Sequence, residues 1–173
     1  MDWIQTFTGR KFFPGDPRPE DFDIADVAHA LSLLCRFNGH CRRFYSVAEH
    51  SVRVSAICPP ERALWGLLHD LGEAYLGDMP RPIKLDLPAF SAAEDRLLQV
   101  ACGVFGLPWP MPAEVKRADD LLLATELRDL MAPPADDWKL REAPLAELRI
   151  EPWPAEEAER AYLARYRELT GAP

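Results

Sequence analysis

The chain has 173 residues, the length of a single domain, and 48% of them are hydrophobic, which is enough to bury a substantial core. Its formal net charge of −8 argues against a surface that binds long nucleic acid, because such surfaces neutralise phosphates with lysine and arginine. The N-terminus lacks a signal-peptide pattern and no run of about 18 apolar residues occurs, so we expect a cytoplasmic protein without a membrane partner. The four cysteines form no C-x-x-C pair and are predicted to be reduced.

Glycines and prolines recur in residues 1–22, which are predicted to form a loop or short hairpin. The main domain is predicted to span residues 23–173. Its first helix should start after Asp23, a suitable N-cap residue, and should end at Asn38 and Gly39.

The second predicted helix covers residues 46–58 and begins with a capping box, in which Ser46 and Glu49 have the S-x-x-E spacing. The third, residues 61–77, is apolar on every face, which indicates a central and enclosed position. Prolines make residues 77–89 a predicted irregular connection.

Further helices are predicted over residues 91–104, 112–131 and 154–169. A proline-containing loop is predicted before the last of them. No strand-like alternation is strong enough to propose a sheet. The predicted fold class is therefore all-α, a single-domain helical bundle.

His69 and Asp70 are the most informative residues, because they lie within the apolar third helix and titratable groups are costly to bury without a partner. Glu73 follows one turn later and can project toward the same region. His50 lies on the apolar stripe of the second helix and should face inward. A lone inward histidine is usually a hydrogen-bonded core residue, but two of them with a neighbouring aspartate favour a metal site.

Asp119 and Asp120 are adjacent candidates for a fourth ligand, about 100° apart around their helix. Asp119 shares its face with the apolar Val115 and Leu122, whereas Asp120 shares one with Lys116 and should meet solvent. The predicted metal ligands are His50, His69, Asp70 and Asp119. This nitrogen and oxygen set suits Mn, Fe, Co, Ni or Zn and leaves positions open for water and substrate, as in a catalytic site.

The order of these ligands resembles the H…HD…D pattern of the HD-domain phosphohydrolases. Flanking segments are similar to those of bacterial 5′-deoxynucleotidases and phage deoxynucleoside triphosphohydrolases, at residues 46–51, 68–73, 77–80 and 115–119. The resemblance covers residues 23–131 and implies an all-α HD-domain bundle. It also implies assembly into dimers or higher oligomers.

The resemblance further implies roles for individual residues. Glu73 would act as the general base, beside the metal ligand Asp70 as the other predicted catalytic residue. Asp78 would touch the sugar, although it could instead cap the turn at Gly77. The remaining predicted substrate-binding residues are Arg36 for phosphate, Phe37 for the base and Lys84 for a phosphate oxygen. For Lys84 the alternative is an ordinary solvated surface position.

These residues predict a metal-dependent phosphohydrolase that cleaves phosphate ester or triphosphate groups from nucleotides or deoxynucleotides. One divalent transition metal is expected, and additional Mg is a candidate cofactor with a triphosphate substrate. The alternative is a catalytically weak nucleotide-binding regulatory module, against which Glu73 argues because a binding site needs no base. A structural metal protein is disfavoured since no cysteine joins the ligand set.

Overall fold

The first residues form a short antiparallel hairpin that packs on the helices. In the computed structural model, which describes residues 2–172, strand β1 (Ile4–Gln5) pairs with strand β2 (Lys11–Phe12). Phe12 is fully buried, and its ring stacks on that of Tyr75 with the centroids 3.7 Å apart. The hairpin therefore shares its core with the helices that follow.

The rest of the described chain is mainly α-helical, which confirms the predicted all-α, single-domain fold. The α-helices are α1 (Ile24–Leu33), α2 (Val47–Ile57), α3 (Ala63–Leu68), α4 (Glu73–Leu76), α5 (Arg81–Asp86), α6 (Pro88–Phe105), α7 (Ala113–Leu130) and α8 (Ala155–Thr170). Short 3-10 turns lie at Pro19–Asp21, Arg36–Gly39 and Pro60–Arg62.

Side-chain caps start α1 and α2 where the sequence predicts them. The Asp23 carboxylate accepts a backbone hydrogen bond in the first turn of α1, and the Ser46 hydroxyl accepts one from the Glu49 backbone N–H at 3.1 Å. The Glu49 side chain does not complete the capping box, because its carboxylate accepts hydrogen bonds from Arg53 and from the Trp153 backbone. This buried carboxylate instead ties α2 to the segment that precedes α8.

The predicted end of α1 is wrong: the helix stops at Leu33, before Asn38 and Gly39. Cys35 is extended and forms an isolated antiparallel bridge with Ser46, a long-range contact that competes with continuation of the helix. The 3-10 turn then passes through the left-handed region at Phe37, with φ 56°, and at Asn38, with φ 49°. Positive φ is unusual for these side chains and is found most often at turns and functional sites.

The predicted third helix is broken at residues 69–72, so His69 and Asp70 lie in a tight turn between α3 and α4. The His69 Nδ1 donates to the Gly66 carbonyl at 2.8 Å, an acceptor that the Asp70 backbone N–H would use in a continuous α-helix. The backbone continues through shorter-range bonds, such as that from the Glu73 N–H to the Asp70 carbonyl at 2.9 Å. A side chain therefore replaces one helical hydrogen bond at this turn.

The interpretation of residues 77–89 as an irregular connection is also wrong. The segment contains α5 and the start of α6. Pro82 is the second residue of α5 and Pro88 is the first of α6, positions where no backbone N–H is needed and a φ near −65° suits the helix. The prolines mark helix starts in this segment.

Helix α2 lies at the centre of the molecule and packs against α1, α3, α7 and α8. Helix α3 is buried except at the partly buried Leu64, which confirms its predicted central position. Gly66 allows α3 to approach α2 closely, since a Cβ at this position would lie 2.8 Å from Cys58 Sγ and 3.0 Å from Ser55 Cα. His50 lies on α2, and His69 directly follows α3.

Replacing Gly66 with alanine should lower the free energy of unfolding by about 1–3 kcal/mol, because the added methyl overpacks the α2–α3 contact and outweighs the better helix propensity of alanine. Urea denaturation of the two proteins measures the difference. Gly103→Ala in α6 is the matched control, since nothing lies within 4 Å of its Cβ position and its stability should rise by up to about 1 kcal/mol. Equal stabilisation of both variants would contradict the close-approach argument.

Candidate metal centre and active site

His50 in α2 and His69 in the turn after α3 point their imidazoles at each other. Their Nε2 atoms are 3.2 Å apart, and both residues are buried. The His50 Nδ1 donates to Glu126 Oε1 at 2.6 Å, and the His69 Nδ1 donates to the Gly66 carbonyl at 2.8 Å. In the neutral form that binds a metal, each imidazole carries one N–H, so these bonds leave both Nε2 lone pairs directed into the space between the rings.

Two carboxylates border the same space. Asp119 Oδ1 lies 3.4 Å from the His50 Nε2, and Asp70 Oδ2 lies 3.2 Å from the His69 Nε2 and 3.6 Å from the His50 Nε2. His50, His69 and Asp119 each offer one ligand atom, and these atoms all lie within 4.8 Å of one another. The mixed nitrogen and oxygen donors fit a divalent transition metal.

The electrostatics of this cluster favour a bound cation. Burial and Arg36 lower the pKa of His50, but Glu126 and Asp119 more than offset them and raise it to about 9. Burial opposes ionisation of Asp70, yet His69, His50 and Arg36 hold its pKa well below the usual range. The Asp70 carboxylate therefore stays ionised, and the space between the imidazoles attracts positive charge, either a proton on His50 or a metal cation.

Glu126 is a buried residue of this site that the sequence analysis did not identify. Its Oε1 accepts from His50 and its Oε2 lies 3.1 Å from the Arg36 guanidinium, while the side chain is fully shielded from solvent. Burial raises the pKa of Glu126, but Arg36 and His50 lower it below its ordinary value. The available signal was its position seven residues after Asp119, which places both carboxylates on one face of α7.

Arg36 reaches the cluster from the turn between α1 and α2. Its NH1 lies 3.5 Å from Asp70 Oδ2, and its Nε is buried without a hydrogen-bond partner. The guanidinium lies over the ring of Phe37, 5.5 Å from the centroid. The structure thus brings together the predicted phosphate-binding and base-stacking residues.

Glu73 and Lys84 lie close to each other beside the cluster of histidines and aspartates. Glu73 Oε2 is buried without a partner, and its Oε1 is 4.0 Å from the Lys84 Nζ. Burial, together with Asp70 and Asp78, raises the pKa of Glu73 well above its ordinary value. Lys84 also donates to Glu94 of α6 at 2.7 Å, so it has a partner within the protein rather than being fully solvated.

Asp78 follows Gly77, whose φ of 81° ends α4. Its side chain is half-buried, and within residues 2–172 its carboxylate has no hydrogen-bond partner, so the structure gives it no role as a cap of the Gly77 turn. Burial raises the pKa of Asp78, while Arg36 and Lys84 oppose the increase. The carboxylate is therefore electrostatically coupled to the cluster.

The interpretation of Asp120 as a solvent-facing residue is wrong. Its side chain is 12% exposed, less than the 21% of Asp119. Lys116 lies between the two carboxylates, 2.7 Å from each, and Arg141 lies 3.9 Å from Asp120. Charged side chains fold over Asp120, although only Asp119 contacts His50.

The uncharacterized protein YfdR of Escherichia coli K12 is 38% identical to this chain over 172 residues, which cover 98% of the chain and 97% of YfdR. The chain belongs to the YfdR family. An uncharacterized protein of Rhodobacter capsulatus is 38% identical over 126 residues, 67% of this chain and 64% of that protein. A 5′-deoxynucleotidase of Photobacterium profundum is 36% identical over 88 residues, 44% of this chain and 37% of the enzyme.

No protein-family model matches the chain. Across residues 2–172, no helix has both the length and the apolar character that crossing a bilayer requires.

Asp119→Asn should weaken metal binding at least about a hundredfold, beyond the ten- to hundredfold typical of a change outside the ligand set, because Asp119 contacts the His50 Nε2. Asp120→Asn is the matched control, since it leaves Lys116 paired with Asp119 and should retain the metal. Titration calorimetry with Mn²⁺ or Co²⁺ measures both affinities. The reverse outcome would assign the ligand to Asp120.

Proposed function

We propose that this chain is a metal-dependent phosphohydrolase of the HD superfamily that acts on nucleotides. The proposal rests on one observation: the Nε2 atoms of His50 and His69 lie 3.2 Å apart. The Nδ1 atoms of both residues already form other hydrogen bonds. Two lone pairs this close repel each other unless a proton or a metal cation lies between them. Asp70 and Asp119 complete a ligand set suited to such a cation.

The residues around the ligand set support catalysis rather than storage or structural binding of a metal. A divalent ion such as Mn, Fe, Co, Ni or Zn, when held there, supplies Lewis acidity and lowers the pKa of water in contact with it. Glu73 has an unpartnered carboxylate oxygen and a raised pKa, so it can accept a proton from the water that attacks phosphorus. This pairing of a ligand set with a free base favours hydrolysis.

Cationic groups beside the base support a phosphorylated substrate. Arg36 keeps a buried Nε–H without a partner, and Lys84 lies 4.0 Å from Glu73. These donors can offset the negative charge that develops on phosphoryl oxygens during transfer. The similarity to a 5′-deoxynucleotidase supports a nucleotide as the substrate. The products would be a nucleoside with either phosphate or tripolyphosphate.

Glu73→Gln should retain the metal and lose at least about a hundredfold in turnover, the usual contribution of a positioned general base. Chromatography of the products from each ribo- and deoxynucleotide, at each phosphorylation level and with Mn²⁺ or Co²⁺ added, measures turnover. Glu61→Gln, an exposed substitution outside the site, is the control and should behave as wild type.

Each outcome of this assay has a distinct meaning. Loss of metal together with activity would make Glu73 a ligand instead of a base. Tight nucleotide binding without product from the wild type would indicate a regulatory binding module and would overturn the hydrolase.

Asp78→Asn should reduce a preference for deoxynucleotides over ribonucleotides. The unpartnered Asp78 carboxylate can accept a hydrogen bond from the sugar 3′-hydroxyl, and a close fit at C2′ would reject an added hydroxyl that finds no partner. The ratio of kcat/KM for matched sugar pairs is the measurement, and the exposed Asp86→Asn is the control. Equal efficiency on both sugars in the wild type would refute a role in sugar recognition.

A further inference from the structure

We propose that Glu126 is a positioning residue that fixes both a metal-binding histidine and the phosphate-binding arginine. A single buried carboxylate is bound through one oxygen to His50 and through the other to Arg36, at 2.6 and 3.1 Å. The inference rests on the proposed function, because it gives a role to a residue behind the proposed metal ligands.

The first contact selects the tautomer of His50. An ionised carboxylate can only accept hydrogen bonds, so the His50 Nδ1 must carry the hydrogen. In the neutral imidazole, the Nε2 then carries a lone pair directed at the space that His69 and Asp119 also border. Without this acceptor, the opposite tautomer would place a hydrogen where the metal has to bind.

The second contact orients Arg36. Its guanidinium lies between Glu126 and Asp70, with NH2 3.1 Å from Glu126 Oε2 and NH1 3.5 Å from Asp70 Oδ2. A chain of contacts therefore runs from His50 through Glu126 and Arg36 to Asp70. It joins two proposed ligands that lie on different elements, and it leaves the Arg36 Nε–H without a partner in the protein.

The chemistry of glutamine shows why the carboxylate is required. A glutamine at position 126 has one acceptor oxygen, so it can accept from His50 or from Arg36 but not from both. Its NH₂ group would then face another donor in a site closed to water. Either one contact fails, or His50 takes the tautomer that accepts at Nδ1 and carries its hydrogen on Nε2, although the side-chain shape is almost unchanged.

Glu126→Gln should therefore weaken metal binding about ten- to hundredfold, the range typical of the group behind a ligating histidine. Titration calorimetry with Zn²⁺ or Mn²⁺, without nucleotide, measures the affinity. The control is Glu114→Gln, a change on the same helix with 52% of the side chain exposed, which should leave the affinity unchanged. Long-range ¹⁵N NMR of the zinc-loaded wild type should show His50 protonated at Nδ1.

A second background separates positioning from general stability. In an Arg36→Met protein, the glutamine oxygen no longer has a competing donor and can accept from His50, so Glu126→Gln should weaken metal binding less than it does in the wild type. A purely structural carboxylate would instead lower the melting temperature without this difference in metal affinity.

Unchanged metal affinity in folded Glu126→Gln would overturn the inference while leaving the proposed hydrolase intact. Weaker metal affinity in Glu126→Gln, combined with a wild type that hydrolyses no nucleotide, would support the inference and overturn the hydrolase. If Glu126→Gln does not fold, Glu126→Asp replaces it, because the shorter side chain keeps its charge but cannot reach both partners. Wild-type metal affinity in Glu126→Asp would likewise overturn the inference.

Discussion

A carboxylate removed from water must be matched by donors, because breaking a buried ion pair costs roughly 3–5 kcal/mol. Glu126 imposes this requirement on the centre of the protein, where it is fully shielded and bound by His50 and Arg36. Its partners come from α2 and from the turn before it, while Glu126 itself is on α7. One charge therefore links the position of α7 against α2 to the conformation of the Arg36 turn.

The helix caps, which depend on local chemistry, are the features of the fold that the sequence predicts well. The caps at Asp23 and Ser46 need only a side chain and the backbone of the next turn, so they can be read from spacing. The end of α1 depends instead on a bridge between Cys35 and Ser46, and the break after α3 depends on where His69 points. Neither contact leaves a periodic signal in the sequence.

In the candidate site, too, the sequence predicts what depends on local pattern and misses what depends on distant contacts. Titratable residues at apolar positions were sufficient to select His50, His69 and Asp119, which the structure brings together. Glu126 lies 90 residues from Arg36, and a sequence pattern cannot pair them across that distance. The sequence predicts the wrong exposure for Asp120 for a related reason, because a side chain distant in sequence, Arg141, lies close to it.

The residues of the proposed metal centre are distributed along the chain in a way that would link metal binding to folding. His50 and His69 are only 19 residues apart, but the contact between His50 and Glu126 closes a loop of 76 residues. The entropy of closing that loop is lost only when α7 docks on α2. The N-terminal half alone, although it carries both histidines, would lack Asp119 and would leave the His50 Nδ1 without its acceptor. A retained metal ion would therefore report that the two halves of the chain are assembled, and an ion released during denaturation would mark the loss of α7 docking.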